Sequence, residues 1–84
     1  MAKGTIRYWA AARQAAGVDE EPYDAATLAE ALRAARGGRG PEFDRVLGRS
    51  SFLLDGDPVG ARVHEGVVLP EGGTIEVLPP FAGG

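Results

Sequence analysis

Apolar and polar positions alternate over Thr5 to Ala10, TIRYWA, with Ile6, Tyr8 and Ala10 on one face and Arg7 and Trp9 on the other. The β-branched and aromatic content of this stretch predicts a first strand. The alternation then breaks at AAARQAAG, where alanines around one arginine end on Gly17 and predict a short helical turn closed by glycine. Glu20 to Tyr23 reads as a weaker extended segment, and Pro22 within it points to a sheet edge, where a missing N–H costs little. From Leu28 the period changes: Leu28, Ala31, Leu32 and Ala35 fall on one face of a helix that reaches Arg36. Thr27 and Glu30 form a T-x-x-E capping box, Arg33 and Arg36 suit the negative end, and Gly37 stops the helix.

The segment GGRGPEFDRVLG predicts a loop followed by one turn of helix, with Phe43, Val46 and Leu47 available to close the core. SSFLL reads as a strand and Asp55-Gly56 as a tight turn. PVGARVHEGVVL offers one or two short extended pieces, and PEGG a further turn. TIEVL is the last strand, with Ile75 and Val77 alternating against Thr74, Glu76 and Leu78. Pro79 and Pro80 donate no ladder hydrogen bonds, so the sheet should end there and the chain should leave extended.

This order predicts one α+β domain over residues 1–84, with one amphipathic helix beside a sheet whose other face has no second layer. Trp9, Leu78 and one of Leu53 and Leu54 are the apolar candidates for that bare face. They are either isolated exposed residues, which are common, or parts of a contiguous partner surface.

Composition narrows the chemistry. The 84 residues include no cysteine, which removes disulfides, thiolate metal sites and cysteine nucleophiles and leaves apolar burial as the source of stability. Nine basic residues against twelve acidic ones give a net charge of −3, a balance that argues against nucleic-acid binding. The densest basic stretch, Arg33 to Arg39, reads as a solvated helix end and loop. No stretch approaches the roughly 20 apolar residues needed to cross a bilayer, and MAKGTIRYWA lacks a signal-peptide core, so no membrane partner and a cytoplasmic location are expected. His64 beside Glu65 has no companion whose spacing makes a catalytic set, and one histidine with scattered carboxylates makes no regular metal site. The glycines of GGRG and EGG do not follow a strand-then-helix phosphate loop.

The terminal segment LPPFAGG remains. A Gly-Gly ending by itself reads as a frayed terminus. As chemistry, the Gly84 α-carboxylate is ionised near neutrality, with an unperturbed pKa of about 3.5, and must be activated before it accepts sulfur or an amine. Two glycines let another protein close around bare backbone, and residues 79–84 fully extended would reach about 20 Å.

IRYWAAARQAAGV, DGDPV and GGTIEVLPPFAGG together resemble the MoaD/ThiS family of ubiquitin-like sulfur carriers, on the MoaD side. The most specific parts are the strand followed by PPxxGG and the aromatic-then-A-x-A-R pattern, here WAAAR. The resemblance implies a β-grasp fold: a mixed sheet of about five strands around one main helix, with a flexible C-terminal glycine tail. It also implies that the Gly84 carboxylate is adenylated by a MoeB/ThiF-like adenylyltransferase using ATP and then converted to a thiocarboxylate by a sulfur donor protein. The chain itself would bind no cofactor and would not catalyse alone. A MoaE-like large subunit of molybdopterin synthase would receive the tail, with Gly83 and Ala82 giving access and Pro80 and Pro79 stiffening the exit from Leu78. Phe81, the large apolar side chain of the tail, is expected to enter a partner groove, the alternative being a local contact with its own sheet. Sister carriers with the same ending deliver sulfur to thiazole, cysteine or tRNA, and a β-grasp interaction module with an inert terminus is a further alternative.

Overall fold

The computed structural model describes residues 1–80. Strand β1, Ala2–Tyr8, buries Ile6 and Tyr8 and turns Arg7 outward, as the alternation requires. It stops before Ala10, which the alternation had assigned to the buried face. Ala10 instead opens helix α1, Ala10–Ala16, with a φ of 48° that turns the chain out of the sheet. That left-handed conformation costs a residue with a Cβ roughly 1–2 kcal/mol. Ala12, fully buried, anchors α1 to the core, and Gly17 closes it at φ 83°.

Strand β2, Glu20–Ala25, continues two residues beyond the predicted segment and lies at the sheet edge, where Pro22 is tolerated. Helix α2 occupies Leu28–Arg36, as its periodicity predicts. Thr27 Oγ1 accepts the Glu30 N–H at 3.3 Å, and the Glu30 carboxylate reaches back to the Ala26 N–H at 2.9 Å. Helix α3, Pro41–Arg49, is longer than the single turn expected. Pro41 at its start, Glu42 and Asp44 in the first turn and Arg49 in the last all suit a full helix, and Phe43, Val46 and Leu47 keep helical spacing.

Strand β3, Ser51–Leu54, turns through Asp55 and Gly56 at φ 51° and 85° into the two-residue strand β4, Asp57–Pro58. Little else of PVGARVHEGVVL is extended: a 3-10 turn spans His64–Gly66 and a single bridge joins Val68 to Thr27. Buried Val59, Val67 and Leu69 pin this segment to the core, and the Arg62 guanidinium satisfies the Val59 and Pro58 carbonyls. Strand β5, Thr74–Leu78, is the last regular element among the described residues.

The sheet runs in the order β2-β1-β5-β3-β4, with β1 and β5 parallel and the other pairs antiparallel. This is the β-grasp arrangement. Its core gathers Ile6, Tyr8, Tyr23, Phe52, Ile75 and Val77 from the sheet against Leu28, Leu32, Phe43 and Leu47 from α2 and α3. Tyr8 and Phe43 meet edge to face at 5.7 Å. Tyr23 needs Gly4, where a Cβ would stand 2.4 Å from both the Tyr23 ring and the Gly73 carbonyl oxygen. Among the described residues, no helix is long and apolar enough to cross a membrane.

Candidate functional site

Central strand β5 ends at Leu78, which is half-buried; Pro79 and Pro80 follow outside the sheet, as their missing N–H groups require. Phe81, Ala82, Gly83 and Gly84, the expected docking side chain and reactive end, lie outside the described residues. The site visible in the structure is therefore the root of the tail and the surface around it.

Trp9 marks that root. Its backbone N–H donates to the Val77 carbonyl at 3.2 Å, which extends the parallel pairing of Tyr8 with Val77 and sets Trp9 beside Leu78. The indole Nε1 donates to Glu76 at 3.1 Å, and the Arg7 guanidinium lies 5.0 Å from the ring centroid. Trp9 thus stays 38% exposed yet held on both sides.

The bare face predicted from the element order is present. Arg7, Glu76 and Leu53 align across β1, β5 and β3, and the next row pairs Leu78 with Ser51. Leu54 packs against the core, so Leu53 is the β3 leucine on the outer face. Arg7 pairs loosely with Glu20 at 3.7 Å. The result is an apolar step of Trp9, Leu78 and Leu53 around the Glu76 carboxylate, beside the point where the tail departs.

The opposite side of the same corner holds a clamp that the sequence reading missed. Arg39, taken as part of a solvated basic stretch, has a side chain only 19% exposed. Its guanidinium donates to both Glu21 oxygens at 2.8 and 3.0 Å, and to the Ala16 and Ala35 carbonyls at 3.1 and 2.7 Å. It lies over the Tyr8 and Phe43 rings at 5.8 and 5.1 Å, while the Tyr8 hydroxyl donates to Glu21. Hydrogen bonding from Arg39 holds the Glu21 carboxyl below the usual value despite partial burial, and Arg39 is in turn held protonated by Glu21. Burial, then Glu21, pushes the Tyr8 phenol well above its ordinary range. One group ties β1, β2 and the ends of α1 and α2 together behind the tail root. The available signal was parity: Glu21 shares the face of buried Tyr23 and Ala25, and a carboxylate there needs a partner.

His64 sits on the 3-10 turn with its ring edge-on to Phe52 at 5.2 Å, away from the tail root. This fits the loop histidine expected.

Comparison with known proteins follows the same outline. The family model described as the ThiS family matches residues 6–84. The solution structure of small archaeal modifier protein 1 from Methanosarcina acetivorans superposes with a TM-score of 0.84 at 22% identity, covering 100% of this chain and 98% of that one. Small archaeal modifier protein 1 from Haloferax volcanii gives 0.78 at 24%, covering 98% and 99%. A Pyrococcus furiosus protein designated molybdopterin converting factor, subunit 1, gives 0.74 at 23%, covering 95% and 99%. No curated protein sequence matches the chain.

Proposed function

The chain belongs to the ThiS family of ubiquitin-like sulfur carriers, and from that premise we propose that its Gly84 carboxylate carries sulfur for molybdopterin synthesis, as the small subunit of molybdopterin synthase. The observation that carries this reading is the reach of the family match, which runs to residue 84 and so takes in the terminal glycines. A carboxylate is a poor electrophile until one oxygen is made part of a leaving group. Attack of the Gly84 carboxylate on the α-phosphorus of ATP, with loss of pyrophosphate, supplies that group as an acyl adenylate. Sulfide-level sulfur, HS⁻, supplied by a donor protein then attacks the carbonyl carbon, forming the C–S bond as the C–O bond to AMP breaks, and leaves a thiocarboxylate that is a better nucleophile than the original oxygen.

In this scheme the chain provides the carried group and its address, while partners provide catalysis. An adenylyltransferase of the MoeB/ThiF type and a MoaE-like large subunit each have to recognise the outer sheet face and admit the tail. Trp9, Leu78 and Leu53 supply the apolar contact, Pro79 and Pro80 limit the directions in which the tail leaves, and Phe81 enters the partner's groove. Gly83 and Ala82 keep the channel narrow.

The test begins with intact mass of the native chain, which checks whether it ends at Gly84. Incubation with ATP, the adenylyltransferase and a sulfur donor should then exchange one terminal oxygen for sulfur. Deleting Gly83 and Gly84 should abolish the exchange without moving the unfolding midpoint; an unchanged mass in the intact chain with cognate enzymes would overturn the proposal. Trp9, the single tryptophan, reports docking directly through its fluorescence.

A second reading is favoured by the neighbours named small archaeal modifier protein 1: the activated carboxyl is joined to an amine of another protein. It differs in outcome, because the mass would then appear on an acceptor polypeptide through a Gly84 amide.

A further inference from the structure

Among the described residues, only two that are not glycine have a positive φ, Asp55 and Ala10. Asp55 belongs to the turn between β3 and β4, and its carboxylate accepts the Thr74 N–H at 2.8 Å, so hydrogen bonding offsets its conformation. Ala10, at φ 48°, has no polar side chain to offer in return. It is also exposed, so its Cβ fills no space in the core. Glycine would adopt the same φ without the steric conflict.

The turn at Ala10 joins two sets of bonds that meet on Trp9. On the strand side, Trp9 gives its backbone N–H to Val77 at 3.2 Å and its indole Nε1–H to Glu76 at 3.1 Å. On the helix side, its carbonyl accepts the N–H groups of Ala12 at 2.9 Å and Arg13 at 3.3 Å. Ala12 is fully buried and the Ala16 carbonyl accepts from Arg39, so α1 is fixed near its start and at its end. Trp9 thus belongs to the last rung of β1 and the first turn of α1 at once, and the Ala10 backbone is the joint between them. The same turn clears the exit of the tail. A straight β1 would bring Ala10 beside Pro79, which has no N–H to pair with it.

We infer that Ala10 is a positioning residue for partner docking: its Cβ, held where glycine would be more at ease, stiffens the joint that presents the Trp9 indole beside Leu78. The role rests on the sulfur-carrier reading for the identity of the partner. Backbone strain at a position that no core contact requires is characteristic of places where geometry serves recognition. An aromatic anchor that is already fixed loses less freedom when an interface closes over it. Glycine at this position would relieve the strain and loosen the joint together. Stability and docking should therefore move in opposite directions.

Two substitutions in the full-length chain separate these effects. Ala10→Gly should leave the thermal midpoint at the wild-type value or raise it by up to about 8 °C. In the same variant the order parameter of the single indole N–H, read from NMR relaxation, should fall. Binding to the MoeB/ThiF-type adenylyltransferase, followed by Trp9 fluorescence, should weaken about three- to tenfold, the entropic cost of fixing one newly mobile side chain. Ala10→Asn keeps a Cβ on a residue that tolerates the left-handed region, so it should raise the midpoint as glycine does while keeping the indole order and the affinity of the wild type. A midpoint lowered by Ala10→Gly, an indole as ordered in that variant as in the wild type, or equal loss of affinity in both variants would each overturn the assignment. If the wild-type chain does not bind the adenylyltransferase, the sulfur-carrier reading falls instead, and the midpoint and indole order of the free chain still decide the role of Ala10.

Discussion

The two faces of the sheet are built from the same strands and differ in almost every other respect. On the helix side, Ile6, Tyr8, Phe52, Ile75 and Val77 are each 7% exposed or less and are closed over by α2 and α3. On the outer side, the residues between them are Arg7, Glu76, Ser51, Leu53 and Leu78, with no layer above them among the described residues. A strand's period of two gives each face its own composition. One face therefore stores the stability, and the other is free to carry recognition without weakening the fold. The tail leaves from β5, the strand that both faces share.

That division can be broken most strongly from within. Phe43→Ala empties the space against Tyr8 and Arg39 and should cost about 3–5 kcal/mol, a large part of the stability of so small a domain; urea denaturation should show the midpoint collapse. Gly4→Ala should cost about 1–3 kcal/mol by the same measurement, because a Cβ there collides with the Tyr23 ring and the Gly73 carbonyl oxygen.

Arg39→Gln should cost about 1–3 kcal/mol at neutral pH, because it leaves the half-buried Glu21 carboxylate without its guanidinium. The pH dependence checks the cause. Glu21 titrates below the ordinary glutamate range in the folded chain, so its contribution is fully present above the unfolded value and is lost as pH falls through the lower folded one. The variant should lose most of this acid-side slope.

Smaller effects sharpen the comparison. Thr27→Ala removes the hydroxyl that caps α2 and should cost about 1 kcal/mol in thermal unfolding. Leu78→Ser should change stability least, within about 0.5 kcal/mol as a partly exposed outer-face substitution. It should nevertheless weaken partner binding roughly tenfold or more, as the loss of an apolar contact at an interface centre does. If Leu78→Ser were as destabilising as Gly4→Ala, the outer face would be part of the core.

Much of this was legible in the chain. The α2 periodicity, its Thr27 and Glu30 cap, the Asp55-Gly56 turn and the end of the sheet at Pro79 are local features, each decided by residues within a few positions of one another. The full length of α3 was visible in principle, since Phe43, Val46 and Leu47 already had helical spacing, but the surrounding glycines favoured a shorter reading. Ala10 was misplaced because alternation continues through it on paper, while the chain turns there at a φ that alanine seldom adopts. The outer face was foreseen, and the choice of Leu53 over Leu54 was not, because that depends on the pairing of β3 with β5.

By itself, then, the sequence determined the elements, their order, the bare sheet face and the glycine ending whose resemblance pointed to a carrier, all of them written in short-range pattern and composition. Tertiary structure alone decided that Arg39 is a clamp instead of a solvated charge, and that Trp9 stands beside Leu78 at the tail root. Those depend on residues many positions apart meeting in space, and no local period encodes which guanidinium will find which carboxylate once the strands have paired.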